Sequence, residues 1–491
     1  MKKVRLYWSI YYVVLAAIVI ATSVSISGFT FFDQKKIVQT GILLLSSFLF
    51  FVLIHEYQLI GFGEKFKIAF YIFFALLIFS SLIAHFQGWA LLQVGWYVLL
   101  TELLLLASYL YLQDPAHYIK IIAMSIFALC MMYCFRVYAD YISGILNDHW
   151  TVWPQQHKVQ YFLHGQLLNP DAYLGFSHVR FFNHIQTWTL PLLVFSYLYF
   201  REKLIPGFRY FLLFFISSWW MLVFAADARG TMLASALSLL FVIALFKRKT
   251  LEFNKIYLST VATGLFLYLI FFLIPNFGAR EILTRFGDSG RIAVWLFALK
   301  QIVAHPFLGL GPMHFSYMGI HPPWSTPHNF ILQSAAEWGI PAVVILVSLV
   351  TYGFYKFIKQ SQKIVENEEE GNETILRIAL TASFSAALMH SMVSGIFNSS
   401  LSQLLFTLVG GWMIGEYFLN SSKQLFISRE KKSVLITALI LLLLGNSLFI
   451  GYEVASQIPH LNERQQQFFQ KYHDYTLYPR FWNQGMIYKK L

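Results

Sequence analysis

Along this chain the dominant pattern is a succession of apolar runs of about 20 residues, the length a helix needs to cross a hydrocarbon core of about 30 Å. They start near residue 6 and end near residue 451. The runs lack the period-two alternation of barrel strands, and in lipid each helix satisfies its own backbone groups. Helices are therefore expected near 6–28, 37–56, 67–86, 89–112, 117–140, 183–200, 207–226, 230–247, 256–275, 329–355, 376–396, 401–419 and 433–451. This predicts an all-α polytopic membrane protein with 12–13 transmembrane helices in one domain, 1–451, followed by a C-terminal tail, 452–491. The first run is too long, and too poor in a small-residue cleavage site, to read as a removed signal peptide, so it is expected to persist as a helix.

Composition agrees with the pattern. Hydrophobic residues make up 57% of the 491 and charged residues 12%, against about a quarter charged in soluble domains. Lys and Arg gather in the connections that lie inside if the N-terminus is inside, and the short outside connections hold only Lys35, Lys36 and Arg229. That orientation puts the segments 141–182 and 276–328, and the tail, on the outer side of the membrane. The net charge of +12 is largely accounted for by cytoplasmic connections, so nucleic acid is not an expected partner. Cys130 and Cys134, four apart in one run, read as small packing residues.

Chemistry is expected on the outer side. Asp227-Ala228-Arg229-Gly230-Thr231 breaks two apolar runs with almost no loop. A charged pair there either closes a helix hairpin or binds an anion with the Arg229 fork and the free amides of the next helix. Arg291 follows Asp288-Ser289-Gly290 and opens an amphipathic stretch with Ile292, Trp295, Leu296, Leu299 and Ile302 near one face, which suits a helix along the membrane surface. Two arginines on one side would suit a diphosphate leaving group. Gly309-Leu310-Gly311-Pro312 reads as a turn and only weakly as a phosphate loop.

His328 follows Pro322, Pro323 and Pro327 and precedes a long apolar run, which places it near a helix N-terminus. The dipole there favours a neutral imidazole, the state a general base needs, although a capping or packing role is the plainer alternative. His314 and His321 in the same segment are rivals, and three irregularly spaced histidines make no metal site. Glu337, nine residues further along, is too deep to orient His328, and pairing with His390 would explain it structurally. Arg180 and the following Asn183, Gln186 and Thr187 load polar groups onto the outer end of one span, where they either line a sugar cavity or anchor the interface with Trp188.

Taken together these motifs resemble the O-antigen ligase and polymerase superfamily, including the pilin-modifying O-oligosaccharyltransferases. Arg229 to Leu233 fits its Arg-x-x-x-Leu pattern. His328-Asn329 with Gly339 fits its His-Asn segment, although Ala342 stands where the ligase pattern has Gly, Thr or Tyr. Gly290-Arg291 with Trp295, leading to His305-Pro306-Phe307-Leu308-Gly309-Leu310-Gly311, looks like the helix and loop that join the two. The resemblance implies a GT-C-like fold in a bacterial inner membrane, with the site facing the periplasm, and a metal-independent, cofactor-free inverting transferase that uses a glycan on undecaprenyl diphosphate. By carry-over, Arg229 and Arg291 would hold the diphosphate and His328 would activate the acceptor hydroxyl. Arg180, Asn183, Gln186, His321 and Asn329 would be further glycan or acceptor contacts. The RFFNHIQTWTLP segment is similar to the pilin-modifying branch, and an aromatic tail could dock a protein. A pilin acceptor is therefore favoured over lipid A-core, with polymerase and lipid-linked glycan transporter as further alternatives.

Overall fold

The structure is a computed structural model that describes residues 29–59, 61–146, 176–274, 290–317, 325–367, 371–428, 434–472, 480–483, 485 and 487. The expected first span, 6–28, most of the 141–182 segment, residues 276–289, His321 and Lys489-Lys490 lie outside these residues.

Helices stand at all twelve of the remaining expected positions. They are α1 (Phe31–Glu56), α2 (Glu64–Ile83), α3 (Gln87–Gln113), α4 (Pro115–Leu146), α5 (Val179–Phe200), α6 (Pro206–Ala225), α7 (Arg229–Phe246) and α8 (Leu251–Tyr268). After a π turn at Leu269–Leu273 come α9 (Arg291–Ala304), α10 (Phe330–Trp338), α11 (Ile340–Asn367), α12 (Asn372–Ser391), α13 (Ser400–Leu419), α14 (Val434–Gln457) and α15 (Leu461–Tyr472). Two three-residue strands, β1 (Tyr57–Leu59) and β2 (Phe426–Ser428), pair antiparallel with Tyr57 opposite Ser428.

Eight stretches among the described residues are long and apolar enough to cross a membrane, one of them running through α7 and α8. α5, α12 and α13 are more polar, and burial explains how. α5 is covered almost throughout, with Trp188 Nε1 donating to Ser402 Oγ at 2.8 Å and Ser383 Oγ donating to the Trp188 carbonyl at 2.7 Å. Polar groups inside the bundle are satisfied by neighbouring helices. α12 packs on both α5 and α7, α13 along α3, and α6 along α8. The outward faces carry exposed apolar side chains such as Tyr71, Phe79, Leu442 and Leu448, as lipid contact requires.

Two expectations are revised. Lys35 and Lys36 do not sit in a short connection but in the first turns of α1, where both are buried; Lys36 Nζ lies 4.4 Å from the Trp96 ring centre and 3.1 Å from Gln39 Oε1. The expected span 329–355 is broken at Gly339, whose φ of 82° ends α10 after nine residues. A Cβ on Gly339 would lie 2.1 Å from the Phe307 carbonyl oxygen, and only glycine allows that approach.

The described tail residues fold back into the bundle. Phe481 packs edge-on to Trp96 at 5.0 Å, Trp482 Nε1 donates to Gln457 Oε1 at 2.6 Å, and the Asn483 N–H donates to Asp33 Oδ1 at 2.7 Å. Arg480 meets both Glu337 and Asn398 Oδ1, the latter at 3.1 Å.

Candidate functional site

The turn between α6 and α7 is only three residues long, Ala226 to Ala228. Ala228 N–H closes back to the Val223 carbonyl at 3.1 Å and Arg229 N–H to the Asp227 carbonyl at 2.9 Å. This forces Asp227 to φ 48°, a left-handed conformation that Asp tolerates better than most residues. The Asp227 side chain is 3% exposed and its Oδ2 lies 3.7 Å from Arg229 Nε, whereas the Arg229 side chain is 45% exposed. The hairpin-closing and anion-binding readings are thus compatible: the buried carboxylate steadies an arginine whose far end stays accessible.

Arg229 opens onto a cavity of about 260 Å³, lined also by His178, Arg180, Asn183, Asp227, Arg291 and His390. Three arginines from α5, α7 and α9 converge there, so Arg180 joins the pair that motif reasoning puts first. Asn183 is 5% exposed and its Oδ1 is buried with no hydrogen-bond partner among the described residues, as suits a group that awaits a donor from a ligand.

Gln186 lies elsewhere. It is fully buried and its Nε2 donates to the Trp219 carbonyl at 2.9 Å, which takes it out of the cavity. A helix places residues three apart close to one face but not in register, and α6 covers that side of α5.

α9 carries Arg291 at its first position after Gly290, which has φ 77°. Its inner face, Val294 and Ala298, packs on Phe315 and Ala336, while Ile292, Leu296, Leu299 and Val303 are exposed. That division fits the expected surface helix. Trp295 belongs to neither apolar face alone: its Nε1 donates to the Pro327 carbonyl at 2.9 Å. Arg291 and the His328 segment are thereby held together.

His328 has φ 54° and precedes Asn329, the N-cap of α10. Asn329 is fully engaged: Oδ1 accepts from Leu332 N–H at 3.0 Å and Nδ2 donates to the Met392 carbonyl at 3.0 Å. It acts as a cap and a tether to α12, not as a group aimed at a glycan. The half-buried His328 has its pKa pushed down from 6.5 to about 3, first by burial and then by the Arg180 and Arg291 charges. Burial and the two arginines favour the neutral ring, a task the sequence reading gave to the helix end. His328 thus sits beside two of the three arginines.

His314 is not a rival at this cavity. Its Nδ1 contacts the Pro312 carbonyl at 2.9 Å and its Nε2 accepts from Phe86 N–H at 2.8 Å. The glycine cluster is no phosphate loop either: Leu310 and Gly311 N–H groups donate to the Ala336 and Glu337 carbonyls, both at 2.9 Å, and cap the C-terminal end of α10. Glu337 pairs with Arg480 and accepts from Phe315 N–H at 3.2 Å, while His390 Nδ1 lies 2.8 Å from Thr187 Oγ1, so the expected Glu337–His390 pair does not form. Motif reasoning missed His178 and His390 as cavity residues. Nothing in their local sequence marks them, since helix packing alone brings α12 to Arg229.

Among the described residues no group of three or more His, Cys, Asp or Glu side chains is placed to hold a metal ion. The arrangement can bind a compact polyanion through three planar cations; His328 is not among the residues that line the cavity but lies close enough to feel the charges of Arg180 and Arg291.

No curated protein matches the chain. Residues 211–347 match the family described as O-antigen ligase, a stretch that runs from α6 into α11 and takes in Arg229, Arg291 and His328. Over that stretch, 137 of the 491 residues, the chain is similar to the O-antigen ligase family, and the match supports a glycosyltransferase of that general kind.

Proposed function

We propose that this protein moves an oligosaccharide from undecaprenyl diphosphate to a hydroxyl of a periplasmic acceptor, a pilin Ser or Thr, with its cavity open to the periplasm. The observation that carries the reading is the convergence of Arg180, Arg229 and Arg291 on one cavity beside His328. As the glycan leaves, its diphosphate gathers about two to three negative charges, and preorganised arginines stabilise that charge as it develops. His328 takes the acceptor proton while the acceptor oxygen bonds to the anomeric carbon. The bond from that carbon to the phosphate oxygen breaks with its electron pair on the diphosphate, and the anomeric configuration inverts.

A base held near pKa 3 is weak. Burial, the larger cause, stays when the donor binds; the bound diphosphate offsets the charges of Arg180 and Arg291 and raises the basicity by their share. Donor binding would thus precede activation of the acceptor, and hydroxyls would be left untouched in the empty enzyme.

The test is transfer by purified protein in detergent from an undecaprenyl-diphosphate glycan, with pilin or lipid A-core supplied separately. Glycan on pilin supports the reading, and glycan on lipid A-core alone makes the protein a ligase of that acceptor. No transfer to either shifts the function to polymerisation or transport. Within an active preparation His328→Ala abolishes transfer and Arg229→Lys lowers it severely, because a point charge lacks the planar fork. Substantial activity in His328→Ala removes that residue as the base.

A further inference from the structure

His390 stands in the arginine cavity without belonging to any motif discussed above. It is 4% exposed, lies at the C-terminal end of α12, and lines the same cavity as Arg229 and Arg291. Its two nitrogens have different surroundings. Nδ1 lies 2.8 Å from Thr187 Oγ1, and no described residue hydrogen-bonds to Nε2. Nε2 faces the start of α7, where a Cβ on Gly230 would come within 2.7 Å of it. Glycine at 230 leaves the imidazole edge room beside Arg229.

The hydroxyls behind the ring determine what Nε2 can do. Thr187 Oγ1 lies 3.1 Å from Thr231 Oγ1, and both hydroxyls reach the Asn183 carbonyl, at 3.1 and 3.2 Å. If Thr231 supplies that carbonyl, the single Thr187 proton is free for Nδ1. In that tautomer Nε2 carries the ring proton, with the cavity in front of it. The ring is steadied further by His184, edge-on at 5.4 Å and itself bonded to Ser394 Oγ at 2.7 Å and Ser399 Oγ at 3.2 Å. A buried N–H, locked in orientation and directed into a cavity lined by arginines, is a preorganised donor to an anion.

We propose that His390 is a second catalytic histidine, donating its Nε2–H to an oxygen of the lipid diphosphate as the glycan departs. This rests on the transferase reading above. The proton is shared and not surrendered: the acceptor proton goes to His328, the electron pair of the breaking bond stays on the diphosphate, and no co-reactant is needed. His328 serves the attacking oxygen and His390 the leaving one.

The test compares His390→Asn with His390→Gln in single-turnover transfer from an undecaprenyl-diphosphate glycan. The Asn amide stands near Nδ1 and can keep the Thr187 bond, whereas the Gln amide reaches the position of Nε2. A leaving-group role predicts that Asn slows transfer on the order of 100-fold while Gln retains most of the rate. Wild-type rates in both, or a better rate in Asn than in Gln, overturn it. If thermal unfolding in detergent shows either variant unstable, Gly230→Ala replaces them. Its Cβ crowds Nε2 while leaving the imidazole and its threonine network intact; a slowed rate supports the role and an unchanged one overturns it. Arg229→Ala is run alongside. Absence of transfer by the wild type sinks the transferase reading as a whole, whereas inactivity in Arg229→Ala with full activity in His390→Asn sinks the His390 role alone.

Discussion

Arg480, from the C-terminal tail, and Glu337, from the last turn of α10, form a buried ion pair, their side chains 2% and 0% exposed. The contact joins residues 143 apart and secures the short helix that follows His328. Glu337 also receives Phe315 N–H, and Arg480 also reaches Asn398, whose amide donates to Gln333 of α10 at 3.1 Å. Removing one partner strands a buried charge, at a cost of about 3–5 kcal/mol. Arg480→Ala is therefore expected to lower the unfolding temperature in detergent markedly, and adding Glu337→Gln should recover part of the loss. Equal melting of wild type and Arg480→Ala would show the pair to be dispensable.

The acid side of the pH profile follows from His328. Its pKa is depressed in the fold, so the stability it contributes is complete above about 6.5 and is lost as pH falls from there toward 3. With saturating acceptor, the acidic limb of kcat/KM for donor should lie well below pH 6.5, and the limb of kcat should lie higher because the bound diphosphate offsets the arginines. Arg180→Gln should raise the kcat/KM limb by on the order of one unit. A limb near 6.5 in the wild type, unmoved by Arg180→Gln, would contradict this picture.

Asp227 is expected to act through Arg229. Asparagine tolerates the left-handed backbone but lacks the charge, and alanine lacks both advantages. Steady-state kinetics should show a raised donor KM in Asp227→Asn with little loss of stability. Asp227→Ala should show the same rise and in addition about 1–2 kcal/mol of destabilisation. An unchanged KM in both would mean that Arg229 needs no such partner.

Gly339 offers a sharper case. Its φ of 82° and the nearness of the Phe307 carbonyl leave no space for a methyl group. Gly339→Ala should disturb the Pro306 to Gly311 segment and with it α10. Reduced yield of folded protein, with activity lost in what remains, is expected; wild-type melting and rate would refute the argument.

Much of this was legible in the sequence because lipid imposes a simple rule. Twenty apolar residues must be a helix, so α1 to α8 and α12 to α14 lie within about seven residues of the expected ends, whereas α11 starts 11 residues and ends 12 residues later than the expected span. Arg229, Arg291 and His328 stand out in the sequence because each lies at a break, where charge and backbone irregularity show against an apolar background. What escaped depended on side chains meeting across helices. Gln186 and Asn183 are three residues apart on α5, yet only Asn183 faces the cavity. His390 looked like a partner for Glu337 because both are polar groups in apolar runs, while the true partner, Arg480, lies in a tail with no membrane signature. The break at Gly339 was hidden because the apolar character runs on unbroken through it.

That break also separates two mechanical tasks. α11 must match the thickness of the bilayer and takes up any mismatch by tilting. Because the chain turns at Gly339, α10 is no rigid extension of that spanning rod; it is fastened at one end to α12 through Asn329 and at the other to the tail through Glu337. Lipids of different acyl length can thus lean the spanning helix while the imidazole of His328 keeps its station, which would insulate the proposed chemistry from the membrane that carries it.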